Sequence, residues 1–332
     1  MSSDPHVVWL EECDTERSAL VGGKASGLGA LLRQGFQVPR GFAITTIAYR
    51  EHVEKNALAA DLERLVADCS SYEAQQRASE EIRRLFESSA PTPDLEAQVR
   101  EAHARLCAES ASAVAVRSSA TAEDTASASF AGQQETYLWI LGGDEVVRHV
   151  VRCWSSLFTP QAIAYRAHLQ TPVADLAMGV VVQQMVAADA AGVMLTLDPI
   201  TGDRSGVVIE AAYGLGAAVV NGEVDPDRVC IDKDQLSIRS RSVGTKNLAY
   251  RFDADTHDIR MEDVPADLQR QACLRDEEFI RLAALGVEME RAMRCPQDIE
   301  WAIGPGATGE RELFLLQARP ETVWSQAVNE PR

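Results

Sequence analysis

Three separated stretches carry the residue types that hold a polyphosphate. The first is Gly22-Gly23-Lys24-Ala25-Ser26-Gly27-Leu28-Gly29. Lysine occurs at only four positions, 24, 55, 233 and 246, so a lysine inside a glycine-rich segment is unlike the rest of the chain. The segment is not a Walker loop, because position 18 is serine and Lys24 is followed by Ala25 rather than Ser or Thr. Gly27-Leu28-Gly29 also lacks the third glycine of a dinucleotide fingerprint. What remains is a backbone able to approach a phosphate closely, with one cation beside it. A helix-entry turn with a solvated lysine explains the same residues, and glycine content alone does not separate the two.

The second stretch is Arg117-Ser118-Ser119-Ala120-Thr121-Ala122-Glu123-Asp124, continuing through Phe130-Ala131-Gly132-Gln133-Gln134-Glu135-Thr136. A planar guanidinium at a strand end, followed by hydroxyls and small residues, suits phosphate chelation. An Arg117–Glu123 surface pair in a polar loop is the competing explanation. The third stretch joins Asp298-Ile299-Glu300-Trp301-Ala302 to Leu315-Leu316-Gln317-Ala318-Arg319-Pro320. Strand alternation puts Asp298 and Glu300 on one face, and Gln317 and Arg319 likewise share a face. If the strands pair, an acid, an amide oxygen and a guanidinium converge, a shell suited to Mg²⁺ on a polyphosphate. Between the stretches lies Gln183-Gln184-Met185, a strand end able to meet an adenine edge, although Met185 in apolar surroundings is more often plain core.

The elements that must position these residues can be read in outline. Residues 60–110 have helical period, with Leu62, Leu65, Leu85, Leu95, Val99 and Leu106 as apolar stripes. Ala113–Val116 reads as a buried strand running into Arg117, Thr136–Leu141 as a strand, and residues 144–169 as helical. The second half turns strand-rich at Val180–Met185, Gly192–Leu197 and Gly206–Ala211; residues 266–294 return to helix. Asp298–Ile303 and Leu313–Arg319 flank a Gly/Pro loop and predict a hairpin. This pattern predicts an α+β chain of two lobes, residues 1–183 and 184–325, with a tail at 326–332.

Composition narrows the classes. A net charge of −18 and a pI near 4.8 argue against nucleic acid, whose phosphates need a basic footprint. No apolar run approaches the roughly 18 residues that span a bilayer, and Met1–Leu10 has no signal-peptide pattern. The seven cysteines form no Cys-x-x-Cys pair and read as reduced thiols. The expectation is a cytoplasmic protein with no membrane and no nucleic-acid partner.

Taken in order, Gly22–Gly29, Arg117–Asp124, Ala128–Thr136, Val181–Val186, Gly192–Gly202, Gly214–Gly222 and Asp298–Arg319 resemble the motifs of the pyruvate phosphate dikinase and phosphoenolpyruvate synthase ATP-binding domain. The resemblance runs from about residue 20 to 322. It implies an ATP-grasp fold with the nucleotide bound between two lobes. It also implies that Lys24 and Arg117 hold phosphates, with Gly132–Thr136 closing over them and Gln183, Gln184 and Met185 lining the adenine. Glu300 and Gln317 would hold Mg²⁺, and Arg319 the transferring phosphates. Such domains phosphorylate a histidine on a separate swivelling domain with ATP, releasing AMP and phosphate, and a small-molecule acceptor on a third domain then takes the phosphoryl group. Ala217 departs from the pattern, standing where a glutamate often follows Gly-Leu-Gly. None of His6, His52, His103, His149, His168 and His257 lies in a Thr-x-His carrier context. The resemblance therefore implies that carrier histidine and acceptor site lie on a separate chain or domain. A split system such as phenylphosphate synthase is one arrangement, and a domain excised from a phosphoenolpyruvate synthase or rifampicin phosphotransferase is another. A non-catalytic nucleotide-sensing module is the alternative of a different class.

Overall fold

The computed structural model describes residues 5–67, 69–108, 113–120, 135–169, 172–253, 256, 258–306 and 309–324. The chain folds as two compact units. The first comprises residues 1–30 and 40–185, the second residues 31–39 and 186–332.

The first unit is built on a five-stranded sheet. Its elements run β1 (Val7–Trp9), α1 (Ser18–Val21), α2 (Gly23–Arg33), β2 (Gly41–Ile44), α3 (Thr46–Lys55), α4 (Ala59–Ala67), α5 (Tyr72–Ser88), α6 (Pro93–Leu106), β3 (Val114–Ala120), β4 (Thr136–Ile140), α7 (Gly143–Ser155), α8 (Pro160–Leu169) and β5 (Met178–Gln184). The sheet order is β1-β2-β5-β3-β4, every pairing antiparallel. β5 is central, and its Val180-Val181-Val182 run is buried on both faces, as a doubly covered strand requires. Two helices take their starts from side-chain caps. The Ser71 hydroxyl accepts from the Ala74 N–H at 3.2 Å, and Thr92 accepts from Leu95 at 3.2 Å with Pro93 at the first helical position. α5 buries Ala78, Ile82 and Phe86, and α6 buries Leu95, Val99, Ala102 and Leu106. Leu85, expected on the stripe, is only half-buried, because the 3.6-residue period selects Ile82 and Phe86 instead. The glycine-rich segment is helical from Gly23 onward.

The second unit contains β6 (Ala190–Leu195), β7 (Gly206–Tyr213), α9 (Ala217–Val220), β8 (Asp227–Asp232), β9 (Ile238–Ser242), β10 (Leu248–Asp253), β11 (Asp258–Asp263), α10 (Asp276–Met293), β12 (Gln297–Pro305) and β13 (Arg311–Pro320). Six strands form an antiparallel sheet in the order β13-β12-β6-β7-β8-β9, while β10 and β11 pair as a separate ribbon. α10 starts only at Asp276, where Glu278 reaches back to the N–H of Arg275 at 2.8 Å. Its buried face is Phe279, Leu282, Ala283, Gly286 and Met289. Gly286 lets the helix lie close to the sheet, since a Cβ there would stand 2.9 Å from the sulfur of Met194.

One ion pair is buried outright in this unit. Lys246 and Asp227 have side chains 0% and 1% exposed and bond directly. The Asp227 carboxylate also accepts from the N–H groups of Gly244 at 3.2 Å and Cys273 at 2.8 Å, while the Lys246 ammonium donates to the Gly244 carbonyl at 3.0 Å. Three segments distant in sequence are thus joined at one carboxylate. Removing a single partner strands a buried charge, so Lys246→Met is expected to cost about 3–5 kcal/mol in urea denaturation. The double variant Lys246→Met, Asp227→Leu should recover only part of that loss, because the buried N–H groups of Gly244 and Cys273 lose their acceptor. A second expectation concerns His52, fully buried against Phe86 and Trp154 and bonded to the Ser89 hydroxyl at 2.8 Å. Burial pushes its imidazole down to about 4. The unfolded chain therefore takes up the proton first, and stability is lost as pH falls from about 6.5 toward 4. Urea midpoints of wild type and His52→Gln measured across that window should converge at low pH.

Candidate functional site

In the first unit, the glycine segment and the Arg117 stretch form one structure. Gly22, at φ +81°, ends α1 and lies against β3 so closely that a Cβ on it would stand 1.9 Å from the Ser119 carbonyl oxygen. The Ala25 N–H donates to the Ser119 hydroxyl at 3.2 Å. Lys24, in the first turn of α2, donates its ammonium to the Ser118 carbonyl at 2.9 Å. The lysine is half-buried and latched to β3, so a merely solvated lysine at a helix entry does not describe it.

Alternation along β3 sends Val114, Val116, Ser118 and Ala120 to one face and Ala115, Arg117 and Ser119 to the other. Val114, Val116 and Ala120 enter the main apolar core. Arg117, 8% exposed, lies on the opposite face, directly across from Thr136 of β4 and from Val181 of β5. Gln183, 2% exposed, pairs with Ala115 and shares that face. Arg117, Thr136 and Gln183 are thereby gathered on one side of the sheet, with Lys24 held at the adjoining residue Ser118. Gln184 is not gathered with them. It pairs with Val114 on the core side, and its amide donates to the Leu106 carbonyl at 2.9 Å. The N–H groups of Gln184 and Met185 are engaged by the carbonyls of Arg40 at 2.8 Å and Ala113 at 2.9 Å, so neither donor meets an adenine edge as they stand. Gly132, and Glu123 with it, lie outside the described residues.

In the second unit, the hairpin forms in the register that alternation requires. Glu300 stands opposite Gln317, and Asp298 opposite Arg319, with an irregularity between Glu300 and Trp301. The other face carries Ile299, fully buried against the α10 side with Met194 and Ile209. Glu300 and Gln317 are half-buried and directly across the ladder, where Cβ atoms lie about 4.5–5.5 Å apart. A carboxylate and an amide oxygen at that spacing can close on one hard cation. Arg319 is anchored: Nε and Nη2 donate to one Asp298 oxygen at 2.9 and 2.7 Å. Asp298 thus acts as the holder of Arg319, a role that strand alternation alone made available but did not assign.

Two residues on this face were not singled out from the sequence. The ladder row runs Gln317, Glu300, Val193, Glu210, Arg228. Arg228 pairs with Glu210 at 3.2 Å and reaches Asp198 at 3.9 Å. Burial acts against the charge of Asp198, but the N–H groups of Ile200 and Thr201, together with Arg228, hold its carboxyl below the usual range. Strands β8 and β9 had no clear sequence signal, so the row could not be completed before the structure.

The family model for the pyruvate phosphate dikinase AMP/ATP-binding domain matches residues 18–332. The chain belongs to this family. Its α+β architecture is the one the motifs led us to expect, and membership makes the fold of ATP-grasp type. A probable phosphoenolpyruvate synthase of Staphylothermus marinus is 39% identical over 345 residues, spanning 96% of this chain and 41% of that protein. One from Methanocaldococcus jannaschii is 38% identical and covers 98% of this chain but 27% of its own length. A rifampicin phosphotransferase of Streptomyces sviceus is 39% identical, with shares of 96% and 36%. The chain therefore spans well under half of each of these relatives. Among the described residues, no helix is long and apolar enough to cross a membrane, and all seven cysteines are free thiols.

Gly22 and Gly35 share nearly the same backbone angle, φ +81° and +83°, but only Gly22 is crowded. Gly35→Ala should cost no more than the left-handed backbone term of about 1–2 kcal/mol. Gly22→Ala must in addition displace β3 or α1, and urea denaturation should show a clearly larger loss.

Proposed function

We propose that this chain binds Mg-ATP and passes a phosphoryl group from it to a histidine on another domain or chain. The observation that carries the reading is that each unit brings residues far apart in sequence onto one face of its own sheet: Arg117, Thr136 and Gln183, next to the latched Lys24, and Glu300 with Gln317, beside the Asp298–Arg319 pair. In the first unit Lys24 and Arg117 take the phosphates, one as a compact ammonium and the other as a planar fork. Thr136 offers a hydroxyl opposite Arg117. Gln183 faces the adenine, its side chain carrying the donor and acceptor that the engaged N–H groups of residues 184 and 185 do not supply.

In the second unit Glu300 and Gln317 hold the metal, and Arg319 contacts the phosphates in transfer. Bound there, Mg²⁺ would neutralise polyphosphate charge and align the leaving group. Asp298 keeps the Arg319 fork extended and oriented before substrate arrives, so less freedom is lost on binding. This division suits phosphoryl transfer, in which a protein contributes position and charge more than covalent chemistry.

Four of the six histidines support an acceptor elsewhere. His52 is buried and kept neutral; His6 pairs with Glu51 at 3.1 Å; His149 bonds the Glu145 carbonyl at 2.8 Å; burial lowers His103, which lies 3.6 Å from the Cys107 sulfur. Each of these serves local structure. The first half of the reaction would consume ATP, water and the histidine and give AMP, phosphate and the phosphohistidine, which relays its phosphoryl group to a small-molecule acceptor, as in a dikinase.

Calorimetry decides the binding half. Mg-ATP affinity should fall at least about tenfold in Arg117→Ala and in Arg319→Ala, one charge-assisted contact each. Glu300→Gln should instead weaken the dependence of ATP binding on Mg²⁺. Wild-type affinity in both arginine variants would overturn the site. For the transfer half, AMP and an acid-labile phosphohistidine should form only when a histidine-bearing domain from a phosphoenolpyruvate synthase is added. ADP release by the chain alone at an ordinary kinase rate would contradict it.

A further inference from the structure

We infer that Arg83, on the exposed side of α5, is a positioning residue for Lys24, acting through Glu135 and Ser118. This rests on the ATP-binding reading above and extends it to a residue outside the phosphate shell. Three consecutive links are present, all within the first unit. Arg83 Nη2 donates to Glu135 Oε1 in a direct ion pair, and the Tyr137 hydroxyl donates to Glu135 Oε2. The Glu135 carbonyl then accepts from both the N–H and the hydroxyl of Ser118, each at 3.3 Å. The Ser118 carbonyl in turn accepts the Lys24 ammonium at 2.9 Å.

The chemistry of each link makes it a hold rather than a chance contact. A carboxylate with both oxygens engaged cannot rotate without breaking a charged bond. Burial and the adjoining Glu135 raise the Tyr137 hydroxyl well above its ordinary range, so it stays a donor across physiological pH. Tyr137 is itself braced, packed edge-on against His149 at 4.7 Å, with Arg152 over its ring at 5.8 Å. Glu135 directly precedes Thr136, which pairs with Arg117, so fixing Glu135 fixes the β4 end of the register that carries two further site residues. The β3–β4 ladder is irregular between Val114 and Val116, and pairing near Ser118 therefore gains little support from the ladder beyond it. Arg83 is 45% exposed at its side chain, and its guanidinium is committed to Glu135.

The test is a double-mutant cycle on Mg-ATP affinity with the full chain. Arg83→Ala should weaken binding about five- to tenfold with little change in thermal midpoint, Glu135→Gln similarly, and Arg83→Lys should retain most of the affinity. In a Lys24→Ala background, Arg83→Ala should add no further loss, because the residue it positions is gone. The effect should also persist at raised ionic strength, unlike simple attraction between an exposed arginine and an anionic nucleotide. Losses that add fully, or that vanish with salt, overturn the relay. Wild-type affinity in Arg83→Ala while Lys24→Ala and Arg117→Ala bind poorly also overturns it and leaves the ATP reading intact. Wild-type affinity in Lys24→Ala and Arg117→Ala together removes the reading beneath it.

Discussion

The arrangement of the first unit depends on one backbone approach: Gly22 against Ser119. With a Cβ excluded at 1.9 Å, only glycine lets the end of α1 meet β3 there. That contact starts α2 with its first turn over the strand, delivers Lys24 to the Ser118 carbonyl and lets the Ser119 hydroxyl accept from the Ala25 N–H. The same approach is repeated one strand over, where a Cβ on Gly179 would stand 2.4 Å from the Val21 carbonyl. Two glycines, Gly22 at the end of α1 and Gly179 in β5, thus make room for a cation beside Arg117.

The second unit solves a different problem by different means. Its sheet offers one face to α10 and carries polar groups beside smaller apolar clusters on the other, and ladder register decides which polar groups meet. Glu300 faces Gln317 and Asp298 faces Arg319 because β12 and β13 keep one register from Gln297 to Glu300, ahead of the irregularity at Trp301; a one-residue shift of β13 there would turn Gln317 and Arg319 to the other side. Register is held by Trp301 and Ile299, both fully buried on the opposite face, and by the close Gly286–Met194 packing beneath. The buried Lys246–Asp227 pair fixes the far end of the same sheet, where β8 begins. Apolar burial and one desolvated ion pair thus position the polar groups of this sheet.

Much of this was legible in the residues. The alternation of Asp298, Glu300, Gln317 and Arg319 requires only the two-residue period of a strand, and the structure reproduces it. Arg117 was visible because the apolar run before it stops abruptly, but β3 continues through it to Ala120, so it lies mid-strand and not at the strand end that the run suggested. The helical content of Gly23–Arg33 was hidden, since small residues mark loops as readily as closely packed helices. The separation of Gln183 from Gln184 was hidden as well: alternation splits them, but which of the two faces the core depends on the neighbours β3 and β2. The Lys246–Asp227 pair had no local signature, its members lying 19 residues apart across strands of weak pattern. Residues 31–39, which join the second unit from within the first stretch of chain, leave no compositional trace.

The distribution of basic side chains has a practical consequence. Arginine outnumbers lysine 28 to four, and three of the four lysines are committed: Lys24 to Ser118, Lys233 to Glu290 and Lys246 to Asp227. Lys55, at the end of α3, is the lysine left exposed. An amine-directed acylating reagent would therefore label this chain at Lys55 first, apart from its α-amino group, and would reach Lys24 only as its latch on β3 opens. The rate of that slower acylation would be a direct clock for how often Lys24 lets go of the strand.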